Sequence, residues 1–245
     1  MAYLFRKLFG DSPIPPPTHI NLAVSVSSTT LHKHGSNTEF QLTLEATLPD
    51  TPSTPDKPLT ILVFDSLLGP GGNTLYEDGL DFIDIDTGVP AKRTAMIFEY
   101  SFGGRSDIPV EPQYEYYFVT LHPGVPHRVT RTLRPCPRIR RDKADKPKRV
   151  ENSLGERVVT AEDEDIVASI FSHVTNMEVG STYRVELGNK MNKIWWYRYG
   201  TKEEVLGEQG AGGGPTKRRR ELVGDCEMEP IPLILQGSAS FTVVE

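Results

Sequence analysis

Apolar residues in this chain recur at every second position in short runs, and glycine, proline or a polar cluster ends each run. That pattern commits the sequence to β-strands. In Ile20–Val26, the residues Ile20, Leu22, Val24 and Val26 fall on one face, because successive side chains of a strand point to opposite sides. Phe40, Leu42, Leu44 and Ala46 repeat the pattern after the polar stretch 34–38, and the two runs are expected to pair. Residues 59–64 read as a buried strand, 80–85 and 95–100 as further strands, and Asp86-Thr87-Gly88 as a turn between the last two. Residues 231–235 and 239–244 return to the same character around Gln236-Gly237-Ser238.

The clearest hairpin signal joins residues 114–121 to 125–133 through His122-Pro123-Gly124. Proline presets the first central dihedral of a type II turn and glycine accepts the positive φ of the second. On such a strand Tyr114, Tyr116 and Phe118 share one face, and Glu115, Tyr117 and Val119 the other. The second aromatic concentration is at 194–199. There Trp196 and Arg198 face one way, while Trp195, Tyr197 and Tyr199 face the other.

These runs predict an all-β fold: an antiparallel, Greek-key-like β-sandwich with long insertions and one or two short helices. The 20 prolines and 21 glycines, with only 37% hydrophobic residues, fit a domain with long turns. The expected organisation is an N-terminal arm over 1–17 and a single sandwich domain over 18–245, with flexible insertions near 48–58, 135–160 and 207–222. A helix is expected at 160–174, capped by Thr160, with Glu162, Asp163 and Glu164 at its positive end and Ile166, Val167, Ile170 and Phe171 facing inward. Residues 201–206 predict a short helical end.

A formal charge of −6 disfavours a chain built mainly to bind nucleic acid. Two segments are locally basic. Arg138, Arg140, Arg141, Lys143, Lys146, Lys148 and Arg149 lie in the long insertion, and Lys217, Arg218, Arg219 and Arg220 form a patch beside a glycine-rich loop. The second is a candidate nuclear address on an otherwise cytoplasmic protein, because the start of the chain lacks the apolar run of a secretory signal. Cys136 and Cys226 are then expected as free thiols. The stretch from Gly210 to Lys217 lacks the spacing of a phosphate loop, the two cysteines have no local metal-ligand spacing, and His32/His34 and His122/His127 are the local histidine pairs to test, so neither cofactor nor metal is expected.

The order of residues 117–121, Pro123-Gly124, 125–133, Met177, Gly180, Thr182-Tyr183-Arg184-Val185 and Leu187 resembles the β-sandwich segment beside the catalytic domain of fungal deuterolysin-like metallopeptidases. With its proline-rich insertions, the chain is also similar to fungal proteins of this sandwich type. The resemblance implies the sandwich fold. It implies no proteolysis, since those zinc enzymes use a His-Glu-x-x-His element that this chain lacks.

Two functional classes follow. In the first, a noncatalytic binding or structural protein engages a protein partner or small ligand through Trp196 and Arg198 on one strand face, with Tyr116 or Tyr117 contributing across the sheet. Open sheet edges would also permit a homodimer. In the second, an enzyme assembles an acid/base site from distant groups among Glu115, His122, His127, Asp163 and Glu164, which requires two of them to converge in one pocket.

Overall fold

The computed structural model describes residues 15–36, 38–49, 56–70, 75, 78–92, 104–136, 148–152, 155–159, 172–207, 221–226 and 228–245. Among these, the strands are β1 (Ile20–Val26), β2 (Thr30–His32), β3 (Gln41–Thr47), β4 (Leu59–Leu62), β5 (Leu80–Asp84), β6 (Phe118–Leu121) and β7 (His127–Thr132). They continue with β8 (Lys148–Asn152), β9 (Gly155–Val159), β10 (Thr182–Leu187), β11 (Lys193–Ile194), β12 (Tyr197–Tyr199), β13 (Ile231–Gln236) and β14 (Ser240–Val244). The one described α-helix, α1 (Lys202–Gly207), follows β12. A reciprocal cap starts it: Glu204 N–H donates to Thr201 Oγ1 at 3.3 Å, and Thr201 N–H donates to Glu204 Oε2 at 2.8 Å.

A mostly antiparallel β-sandwich results. One layer runs β11-β13-β1-β3-β7 and the other β2-β14-β10-β5. The expected β1–β3 pair forms, with Leu22 opposite Ala46, Val24 opposite Leu44 and Val26 opposite Leu42. Inward residues of both layers meet in one core. Phe40 beside β3 lies 4.9 Å from Phe241 of β14, which also packs on Phe82 of β5 at 5.9 Å and Tyr183 of β10 at 6.2 Å. The sheets are mixed, because β1 runs parallel to β13 and β2 parallel to β14. Both pairs join strands from opposite ends of the chain, and the alternation of apolar residues carries no information about strand direction.

A third sheet, β12-β4-β6, divides the interior. All four residues of β4 are buried. Leu59 and Ile61, followed by Val63, belong to the sandwich core; Leu62, followed by Phe64, points the other way into a second cluster with Ile108, Val110, Phe118, Trp196, Val205, Leu206 and Val223. A strand covered on both faces reads as a continuous apolar run. Its one polar residue, Thr60, is satisfied, with its hydroxyl 3.1 Å from the Thr120 hydroxyl and 2.8 Å from Gly200 O.

The expected hairpin is replaced by an arch. His122-Pro123-Gly124-Val125 makes the turn, with Gly124 at φ 69° and Val125 N–H donating to His122 O at 3.1 Å. The strands it joins nevertheless enter different sheets, β6 pairing with β4 and β7 with β3. Residues 112–117 form a 3-10 helix instead of strand, begun by Pro112, a residue whose fixed φ suits the first helical position. Tyr114, Tyr116 and Phe118 therefore do not share a strand face.

The aromatic run also divides. β11 pairs with β13 in the sandwich and β12 with β4 in the third sheet, so Trp195 and Trp196 span the crossover. Within the insertion expected over 135–160, β8 and β9 form an antiparallel hairpin from Lys148 opposite Val159 to Asn152 opposite Gly155. The expected strand at 95–100, the patch Lys217, Arg218, Arg219 and Arg220, and the helix expected at 160–174 up to residue 171, with Asp163 and Glu164, lie outside the described residues; Ser172, His173 and Val174, which would end that helix, are not helical. Among the described residues no helix is long and apolar enough to cross a membrane.

Candidate aromatic and cationic site

Trp196 and Arg198 meet, with the guanidinium carbon 5.3 Å from the indole centroid. The indole is 0% exposed and packs edge-on against Phe118 at 5.2 Å, so it has no surface to offer a ligand. Among the described residues its Nε1 has no hydrogen-bond partner. Arg198 pairs with Glu221 through both guanidinium ends, and Cys226 Sγ lies 3.9 Å from Arg198 Nη2. Tyr117 meets Phe64 edge-on at 5.5 Å, and Tyr116, 63% exposed, leans on Tyr117 at 5.1 Å. Tyr117 and Trp196 thus belong to one cluster, while Tyr116 sits at the surface of the 3-10 helix.

The other tryptophan is differently placed. Trp195 stands half-buried at the crossover, with the Arg105 guanidinium carbon 3.9 Å from its ring centroid and Lys193 Nζ at 6.0 Å. Arg105 opens the 3-10 turn Arg105–Asp107, and the residues after it anchor that turn. Ile108 and Val110 are fully buried in the second cluster, Val223 N–H donates to Ile108 O at 2.9 Å, and Val110 N–H donates to Glu221 O at 3.0 Å. Gly224 closes the packing. A Cβ there would stand 2.7 Å from Ser106 Cβ and 3.0 Å from Ser106 O.

Asp65 completes the cluster. It follows Phe64 at the end of the β4 run and holds φ at 55°, and Met191 across from it holds 59°. The two turns are tied by Leu67 N–H donating to Met191 O at 2.9 Å. Non-glycine residues in the left-handed region cost about 1 kcal/mol or more each, and such strain collects at functional sites. Partial burial pushes the Asp65 carboxyl above the usual carboxylate range, against the opposing pull of the Arg105 charge. Among the described residues, Arg105 and Lys193 thus border the half-buried Trp195 ring, with the poorly solvated Asp65 carboxyl within reach of the Arg105 charge.

This arrangement suits an anion. A guanidinium stacked on an indole keeps its in-plane N–H donors at the rim, where they match carboxylate or phosphate oxygens. No side-chain hydrogen bond occupies the Arg105 guanidinium among the described residues. The sequence offered Trp195 through the aromatic run. It offered nothing for Arg105, which comes from 90 positions upstream, and only a strand-ending Asp-Ser for Asp65, an ordinary turn signal.

Of the acid/base candidates, Glu115 and His122 both adjoin the start of α1, while Asp163 and Glu164 lie outside the described residues. Glu115 lies 3.6 Å from Lys202, and His122 acts on Glu203, whose fully exposed carboxyl is held low chiefly by a backbone hydrogen bond and by Thr201. His127 opens β7, and burial lowers its pKa. His32 and His34 turn to separate backbone acceptors, Glu245 O at 2.9 Å and Cys136 O at 3.1 Å. Among the described residues no three His, Cys, Asp or Glu side chains are placed to hold a metal ion, and Cys136 and Cys226 are free thiols. In comparison with known proteins, the chain matches no family model, no curated protein and no solved structure.

Proposed function

We propose that this is a noncatalytic binding protein that recognises an anionic group, carboxylate or phosphate, at Arg105, Trp195 and Lys193. One observation carries the reading: the Arg105 guanidinium rests 3.9 Å from a half-buried indole, pre-oriented by the stack, with its donors unspent on the described protein. Holding a planar cation before the ligand arrives removes part of the ordering cost of binding. An intracellular setting accords with the two free thiols, and nuclear import through Lys217, Arg218, Arg219 and Arg220 is tested by imaging a fluorescent fusion with and without those residues replaced by alanine.

The two tryptophans make the binding test direct, because one is buried and the other accessible. Iodide, an anion, is expected to quench Trp195 more strongly than caesium does, and Arg105→Ala with Lys193→Ala should abolish that preference. Titration calorimetry with inorganic phosphate and a hexaglutamate peptide then tests recognition itself. The expected result is salt-sensitive binding of at least one probe, weakened about tenfold or more by Arg105→Ala, as one charge-assisted contact of about 1.5–3 kcal/mol implies. Binding that ignores both substitutions, or no binding by the folded protein, removes the reading.

A further inference from the structure

β12 is an edge strand: among the described residues it pairs only with β4. Tyr197 and Tyr199, two positions apart, share one of its faces. Both pack toward the sandwich core, Tyr197 almost wholly buried and Tyr199 half-buried. Their hydroxyls differ in neighbourhood. Burial raises the Tyr197 pKa, with the Glu229 charge adding to it; burial and the adjoining Tyr197 push Tyr199 up to about 12. Tyr199 is thus a committed hydrogen-bond donor at any physiological pH.

Its acceptor comes from the far end of the chain. Tyr199 Oη donates to Pro15 O at 2.9 Å, across 184 positions of sequence. Pro15 opens three consecutive prolines that lead into β1. Pro15 and Pro16 are exposed, and Pro17 is buried. A proline run is preorganised as a left-handed extended helix whose backbone offers carbonyl oxygens and no N–H. It cannot extend the sheet from β12. It can be read by aromatic rings that cover its apolar rim and by a hydroxyl that meets a carbonyl, the mode by which proline-rich segments are recognised. The contact between Tyr199 and Pro15 supplies the hydroxyl-to-carbonyl part of that chemistry.

We propose that the edge of β12 at Tyr199 is a recognition ledge for a proline-rich segment of a partner protein, and that Pro15, Pro16 and Pro17 occupy it in cis as a pseudo-ligand. The hold on the arm is light. Among the described residues it consists of one exposed hydrogen bond and one buried ring, with two prolines facing solvent. A tethered ligand nevertheless competes at an effective concentration in the millimolar range. The intact chain therefore rejects weak proline-rich ligands and yields only to a longer or better-fitting run. This surface is separate from Trp195 and Arg105 and does not depend on the anion site.

The test uses the full chain and two labelled probes, decaproline and the peptide Ile-Pro-Pro-Pro-Thr-His that copies residues 14–19, with fluorescence anisotropy as readout. Pro15→Gly with Pro16→Gly loosens the arm without touching the ledge, and should bind the probes at least tenfold more tightly than the wild type. Adding Tyr199→Phe to that variant should weaken binding about fivefold, the equivalent of one neutral hydrogen bond of about 1 kcal/mol. Far-UV circular dichroism and the unfolding midpoint establish that each variant is folded. A folded arm-loosened variant that ignores both probes overturns the proposal, as does binding indifferent to Tyr199→Phe. A concentration-dependent dimer that dissociates on loosening the arm would also overturn it, since the occupant would then be a second copy.

Discussion

Acidification should unfold this protein in part through one histidine. His173 Nδ1 accepts a hydrogen bond from Arg134 N–H at 2.7 Å, and His173 N–H in turn donates to Arg134 O at 3.1 Å. An accepting Nδ1 carries no proton, so the ring is neutral and its hydrogen is on Nε2. Burial, reinforced by the Arg134 charge, lowers its pKa from 6.5 to about 4. The unfolded chain therefore takes up the proton first. Stability from this group is complete above pH 6.5, declines as the pH falls, and is exhausted near pH 4. At about 1.4 kcal/mol per tenfold change in proton affinity, the shift is worth about 3.4 kcal/mol for a fully shielded ring. Solvent reaches part of this one, which reduces the expectation to about 2 kcal/mol. Urea unfolding between pH 7.5 and 4, comparing wild type with His173→Asn, isolates the term: the amide oxygen can still accept from Arg134 N–H, but the side chain does not titrate. The wild type should lose about 2 kcal/mol more than the variant across that range. Parallel stability curves would refute the reasoning, whatever slope the carboxylates give to both.

Two further substitutions probe the packing. Gly188→Ala should destabilise by about 3 kcal/mol or more, measured by chemical denaturation, because its Cβ would lie 2.0 Å from Asp78 O and a backbone carbonyl cannot swing aside. Trp196→Phe should cost only about 1–2 kcal/mol, since lost packing is offset by removing a buried N–H that has no acceptor among the described residues, whereas Phe118→Ala beside it should cost about 3–5 kcal/mol in the same assay.

What could be read from the chain was local. Ile20, Leu22, Leu42 and Leu44 announced their strands and inward faces because alternation is a property of each strand alone. Gly124 and Pro123 announced their turn for the same reason. Pairing was harder. β6 and β7 are neighbours in sequence with a tight turn between them, the usual setting of a hairpin, but β4 is apolar on both faces and takes β6 as its partner. Tyr114, Tyr116 and Tyr117 looked like strand residues through composition, yet Pro112 two positions earlier already favoured a helical start. Of the residues proposed for binding, Trp196 and Arg198 do meet, although Trp196 stands at the crossover before β12. Nothing in the alternation reveals that the pair is closed off by Phe118 and Glu221. Arg105 on Trp195 and Pro15 on Tyr199 are encounters between remote segments, and no periodicity encodes them.

The parallel pairings set a clock on the nascent chain. Ile20 must wait for Leu233, and Thr30 for Thr242, before either layer of the sandwich is complete. At roughly 5–20 residues per second, translation needs about 10–40 s to supply the missing strands. Throughout that interval β1 can pair with β3 but leaves an apolar edge open on its other side. Contacts so distant also close slowly once available. Neither layer can close before β13 and β14 have been made, and the nascent chain must pass through a period in which a chaperone, or another copy of the same chain, competes with β13 for the edge of β1.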